Sequence, residues 1–156
     1  VGRAPDHLTQ RGRGRGGRPP VAKGSRKAME INAITEIIIN EAIRLHREIG
    51  PGLLGSVYEA VLSKRLRDRG LKVECQVPTS VVIDGEHFDI GFRMDMLVQD
   101  QVIVELKSVQ EVPAVDYKRV QTYLRLKDLR IALLINFGKE TLVEGLSRIA
   151  NKFNED

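Results

Sequence analysis

With a single cysteine, Cys75, among 156 residues, the chain can form no internal disulfide and no cysteine-based zinc site. Cys75 itself reads as a small buried hydrophobe in a strand. The three histidines, His7, His46 and His87, stand at no metal-ligand spacing, and His46 is expected on a helix surface or satisfied by a neighbour. Tryptophan is absent and aromatics make up 4% of the chain, which leaves little of the stacking surface that single-strand binding uses. No apolar run approaches the roughly 20 residues of a membrane span, and no stretch resembles a secretory signal. A membrane partner is therefore not expected, and the cytoplasm is the expected compartment.

What is present is ordinary for a globular protein: 42% hydrophobic and 29% charged residues, in a length that supports one domain with a real core. The net charge of +4 hides a division. Residues 1–28 hold eight arginines and lysines against Asp6 alone, whereas residues 29–156 hold 17 basic and 20 acidic residues, a net −3. The segment RGRGRGGRPP is low in complexity and expected to be disordered. Either it grips phosphates without sequence preference, or it lies upstream of a true start at Met29, which stands just before the first amphipathic helix. Both readings place the folded unit in residues 29–156, as a single domain.

From Asn32 the positions Ile34, Ile37, Ile38, Ala42, Leu45 and Ile49 recur at helical spacing, with Asn32 the expected N-cap. Gly50-Pro51-Gly52 ends that helix. A second is expected from about Leu54 to Arg69, with Val57, Val61, Leu62 and Leu66 inward and Gly70 in the left-handed C-terminal place. The period then changes to two. Residues 71–77 and 80–83 read as strands, followed by a turn at Asp84-Gly85. IGFRMDMLV and QVIVELKSV form a further hairpin around Gln99-Asp100. Helix returns from Val115 to Leu126, residues 130–137 form a short buried strand, and a last helix is expected from about Leu142 to Lys152. The order ααββββαβα predicts an α/β fold, a mixed sheet flanked by helices.

Alternation puts Glu105 and Lys107 on one strand face with Ile103, while Val104 and Leu106 point the other way. On the partner strand Asp95 shares a face with Arg93 and Leu97, and a tight hairpin brings Asp95 beside Glu105. Two carboxylates on one patch repel, and leaving each ion uncompensated in a dry site costs several kcal/mol. A divalent cation relieves that repulsion. Hard oxygen ligands, few in number, suit Mg²⁺ or Mn²⁺, which keep waters and complete their shell with a phosphate. A lysine beside the metal can orient an attacking water or stabilise charge developing on the phosphorus oxygens. This is the equipment for metal-assisted phosphodiester hydrolysis. The bare spacing also arises by chance as a solvated pair on an exposed sheet. Val102-Ile103-Val104 before Glu105 and the apolar strand at 130–137 argue instead for a central strand covered on both faces.

The order of elements, with an acid and E-x-K on a hairpin followed by a helix and a buried strand, resembles the core of the PD-(D/E)XK nuclease superfamily, the restriction-endonuclease-like fold. More narrowly, GPGLLGSVYE, RMDMLV, VIVELKSV, QTYLRL and LLINFG resemble the bacterial family named for its G-x-x-E-x-x-Y motif, over about Ile31 to Lys152. The resemblance implies a nuclease with Asp95 and Glu105 as metal ligands and Lys107 as the catalytic lysine. It also implies departures. Gly55 stands where the family has its name-giving glutamate, and Glu59, roughly 6 Å further along the helix, is the candidate substitute ligand. Arg119 stands where a glutamine is expected four residues before Tyr123, with Gln121 displaced by two. Tyr58 and Tyr123 match the family, although a tyrosine on an amphipathic helix more often packs than reacts.

Two readings of function follow. In the first, the protein is a Mg²⁺- or Mn²⁺-dependent nuclease acting on nucleic acid, with a homodimer needed to cut both strands of a duplex together. In the second, it is a catalytically weak or inactive nuclease-fold protein that binds nucleic acid or a protein partner.

Overall fold

Ile34, Ile38, Ala42 and Leu45 form one stripe of the first helix and are wholly buried, which is what spacings of three and four residues produce on a single helix face. A computed structural model describes residues 29–152, with the side chains of 90–92 left aside. The arginine- and glycine-rich residues 1–28 and their expected disorder lie outside the described residues. Helix α1 runs Ile31–Ile49 and α2 runs Gly55–Asp68. Asn32 is not the N-cap of α1. Glu30 takes that place without a side-chain cap bond, and the Asn32 side chain accepts a hydrogen bond from Arg148 at 2.7 Å instead. At the end of α2, Gly70 N–H donates to Arg67 O and Leu71 N–H to Leu66 O, a Schellman closure for which Gly70 supplies the positive φ of 83°. Val57, expected inward, is exposed. Tyr58 takes the inward place, stacked on Phe137 with ring centroids 4.2 Å apart.

Three antiparallel strands follow: β1 (Val73–Ile83), β2 (Glu86–Val98) and β3 (Val102–Lys107). The two strands expected at 71–77 and 80–83 are one, β1, which carries a register shift between Thr79 and Val81. Pro78 does not break it because β1 lies at the sheet edge, where a missing N–H leaves no partner unsatisfied. Helix α3 (Ala114–Lys127) crosses over to β4 (Ile131–Asn136), which pairs parallel with β3.

The last helix expected at 142–152 is not formed. Thr141 caps a single turn, α4 (Leu142–Gly145), and the chain then enters β5 (Leu146–Ala150), antiparallel to β4. Leu146 and Ile149 are three residues apart, which is one face in a helix and opposite faces in a strand. Leu146 packs on the core under α1 and Ile149 on the core under α3, so the strand buries both.

The mixed sheet has the order β1-β2-β3-β4-β5 and lies between two helical layers. One core joins α1 and α2 to Val104, Leu106, Leu133 and Ile135. The other joins α3 to Ile103, Ala132 and Leu134. Strands β3 and β4 are thus covered on both faces, and Glu105 sits in the middle of them.

Candidate active site

Strands β2 and β3 pair only from Val98↔Val102 to Met96↔Val104. The next residues, Asp95 and Glu105, face one another where the ladder opens, and their side chains take over its bonds. The Asp95 backbone N–H donates to Glu105 Oε1 at 3.1 Å, and the Leu106 N–H donates to Asp95 Oδ2 at 2.8 Å. Each carboxylate is therefore anchored by a backbone amide of the opposite strand through one oxygen, and the second oxygen of Asp95 meets the Gln76 side-chain amide at 3.5 Å. Glu105 is 7% exposed. Its pKa is pushed up to about 8, first by burial and then by the negative charge of Asp95, against the Asp95 amide and the Lys107 ammonium, which pull it down.

Lys107 lies on the Glu105 face at the end of β3, but its ammonium turns to α3. Nζ is 3.5 Å from Asp116 Oδ2. The other Asp116 oxygen, Oδ1, accepts from Arg119 Nη1 at 3.1 Å. Asp116 is buried, and with Arg119 and Tyr123 it follows the i, i+3, i+7 spacing that keeps side chains on one helix face. The Tyr123 phenol is raised to about 12, mainly by burial and then by Glu105, so it is neutral at ordinary pH. Asp95, Glu105, Lys107, Arg119 and Tyr123 line an open cavity of about 670 Å³, together with Asp89 and Arg93 from β2.

The structure thus brings Asp95, Glu105 and Lys107 together and leaves the other candidates aside. Glu59 does not join the pair. Its carboxylate accepts from Gln76 Nε2 at 2.9 and 3.1 Å, and the same amide nitrogen is 3.5 Å from Asp95 Oδ1. Among the described residues no three His, Cys, Asp or Glu side chains converge as a metal site. Gly55 opens α2 and borders a different cavity, with Ser108 and Val109. Gln121 faces β5, donating to Ala150 O at 2.8 Å, so Arg119 is the polar residue that this stretch of α3 presents to the cavity. Tyr58 is core, its hydroxyl donating to Gly50 O at 2.5 Å. His46 is buried, with Nε2 2.9 Å from Lys139 O. Cys75 is half-buried in β1, its sulfur 3.7 Å from Arg67 Nη2.

Two residues of this neighbourhood escaped the sequence reading. Asp116 was detectable, because its helical spacing from Arg119 and Tyr123 was in view. Gln76 was not, because it reaches both acids from a left-handed backbone (φ 53°) in the middle of a strand, and no local pattern announces that.

A five-stranded mixed sheet between helical layers, with an acid pair and a lysine where its central strands part, has the architecture of the restriction-endonuclease-like fold. The family model of the PD-(D/E)XK nuclease superfamily matches residues 32–149, and the chain belongs to that superfamily. No curated protein and no solved structure gives a significant match. Among the described residues no helix is long and apolar enough to cross a membrane.

Proposed function

We propose that the domain hydrolyses phosphodiester bonds of nucleic acid, using a Mg²⁺ or Mn²⁺ ion held by Asp95 and Glu105. The observation that carries this reading is the facing carboxylate pair, each acid anchored by an amide, in one open cavity with the Lys107 ammonium and Arg119 nearby. The donor set suits such an ion. Each carboxylate keeps one oxygen beyond its amide bond, and Mg²⁺ typically takes one or two carboxylates and fills its shell with water and phosphate oxygens. The bound ion supplies a Lewis acid that neutralises phosphate charge and lowers the pKa of a coordinated water.

The protein groups do the rest. Glu105 gives up its proton to serve as a ligand, and the Asp95 and Leu106 amides hold the two acids in place. Lys107, tethered by Asp116 at the cavity wall, donates to the attacking water or to a non-bridging phosphate oxygen. Arg119 and Arg93 offer guanidinium forks to the same phosphate. Within the superfamily, the motifs GPGLLGSVYE and VIVELKSV favour the G-x-x-E-x-x-Y family, and a domain this small needs a second copy of the chain to cut both strands of a duplex together.

A second reading rests on the missing third acid. With Gly55 in place of the family glutamate and Glu59 bonded to Gln76, the domain is a catalytically weak or inactive binding module for nucleic acid or protein. Cleavage of single- and double-stranded DNA and RNA with Mn²⁺ decides between them. Cleavage by the unaltered chain, lost in Lys107→Ala with metal binding retained, supports the nuclease. Equal cleavage by both removes Lys107 from the mechanism, and metal binding without cleavage favours the module.

A further inference from the structure

At least eight of the 17 arginines and lysines from residue 29 onward meet a carboxylate, Lys107 and Arg119 through Asp116. Arg44, Lys64, Arg65, Arg69, Lys72 and Lys139 each meet a carboxylate within 4.0 Å. The exposed edge of the sheet is different. Two cavities flank β5, of about 420 and 300 Å³. The first takes Lys118, Arg148 and Lys152 with Tyr117, and the second takes Arg130 and the same Arg148. Among the described residues no carboxylate lines either cavity, and none of these four cations pairs with an acid. Arg148 is fixed all the same. Its guanidinium donates to Thr35 Oγ1 at 3.0 Å and to Asn32 Oδ1 at 2.7 Å, both neutral acceptors that orient the group without cancelling its charge.

We propose that this β5 edge is a second phosphate-binding surface, which holds the backbone of the nucleic acid beyond the candidate active site. The inference rests on the nuclease reading for its partner and on the unmatched cations for its location. A domain with a net charge of −3 outside residues 1–28 has no general attraction for polyanions, so a strip of four cations without a paired acid among the described residues supplies the local potential that binding needs. The strip is also continuous with the candidate active site. Helix α3 turns Arg119 and Tyr123 to the catalytic cavity and Tyr117, Lys118 and Gln121 to the β5 side. A strand leaving the first cavity crosses one helix, about 10–12 Å wide, and reaches the second within a few nucleotides. Tyr117, 37% exposed, offers a ring beside it. An acidic protein would satisfy the charge but not this continuity.

The test uses the full chain in EDTA and a fluorescent 20-nucleotide single strand of mixed sequence. The triple variant Lys118→Ala/Arg130→Ala/Lys152→Ala is compared with a control of equal charge loss, Lys64→Ala/Arg44→Ala/Lys72→Ala. Residues 1–28 are common to all, so differences report on the folded surface. Arg148 is left intact because it ties β5 to α1. We expect the strip variant to bind at least about tenfold more weakly at low salt and to lose about two from the slope of log affinity against log salt. The control is expected to stay within about twofold. Equal losses in both variants, or none in the strip variant, overturn the proposal, as does equally tight, equally strip-dependent binding of poly-glutamate. Mn²⁺-dependent hydrolysis of bis(p-nitrophenyl) phosphate, too small to reach the strip, should be unchanged in the triple variant. If no form of the protein hydrolyses it while binding still depends on the strip, the nuclease reading fails and the surface stands.

Discussion

Replacing Glu105 by glutamine should make the stability of the metal-free domain much less dependent on pH. In the folded protein the Glu105 carboxyl is raised from 4.5 to about 8, through burial and the neighbouring Asp95 charge. Between those values the folded state keeps a proton that the unfolded chain releases. The stabilising contribution of this group is therefore complete below about pH 4.5 and is lost as pH rises through about 8. At about 1.4 kcal/mol per pH unit, the loss has an upper bound of about 5 kcal/mol, large against the roughly 5–15 kcal/mol of a whole domain. Glutamine has no proton to release and retains an Oε1 acceptor for the Asp95 N–H. Urea unfolding in EDTA at pH 5, 7 and 9 measures the difference, and every other ionisable group is common to both proteins. The variant should be the more stable protein at pH 9, by more than about 1 M in midpoint for a urea slope of about 1–3 kcal/mol per M. Saturating Mn²⁺ at pH 9 should reverse the order, since only the native pair gains the ion. Parallel pH profiles of the two proteins would refute the reasoning.

Asp116→Asn removes the acid that holds both Lys107 and Arg119. It is expected to lower cleavage by at least about tenfold while leaving Mn²⁺ affinity within about twofold, as read by single-turnover kinetics beside calorimetry; an unchanged rate would free Lys107 of that tether. Gly55→Glu should be tolerated, because a Cβ there meets nothing within 4 Å and an acid in the first turn suits the helix dipole. Because Gly55 borders a different cavity from the acid pair, Mn²⁺ affinity of the variant in calorimetry should stay within about twofold; a gain of about tenfold, about 1.4 kcal/mol, would contradict that separation. Gly145→Ala should be poorly tolerated, since its Cβ would lie 2.0 Å from the Asn136 carbonyl oxygen. We expect a loss of about 1–3 kcal/mol in thermal unfolding; a melting temperature equal to that of the unaltered protein would contradict the close approach.

The parts of the fold legible in the sequence were those whose burial is one-sided or complete. The α1 stripe, the end of α2 at Gly70, the turn at Asp84-Gly85 and the apolar runs of β3 and β4 all carry a period or a turn residue of their own. The segment 142–152 misled because Leu142, Leu146 and Ile149 fit a helical repeat as well as a strand that fills two cores. What chose the strand was the open edge of β4, a tertiary demand with no local signature. Asn32 was a sound N-cap by residue type, yet Arg148, 116 residues along the chain, claimed its side chain. At the site, the facing of Asp95 and Glu105 followed from hairpin parity. The exchange of amides between them depends on where the ladder opens, and the capture of Glu59 by Gln76 depends on a left-handed strand residue; neither is written in spacing.

The most direct measurement is calorimetric titration of Mn²⁺ into the protein at about pH 8, with Asp95→Asn and Glu105→Gln alongside. A single binding event in the native protein, lost in both variants and weakening as pH falls below the Glu105 pKa of about 8, is the predicted result. Absence of binding in the correctly folded native protein, or binding that survives both substitutions, would contradict a metal centre built on this carboxylate pair.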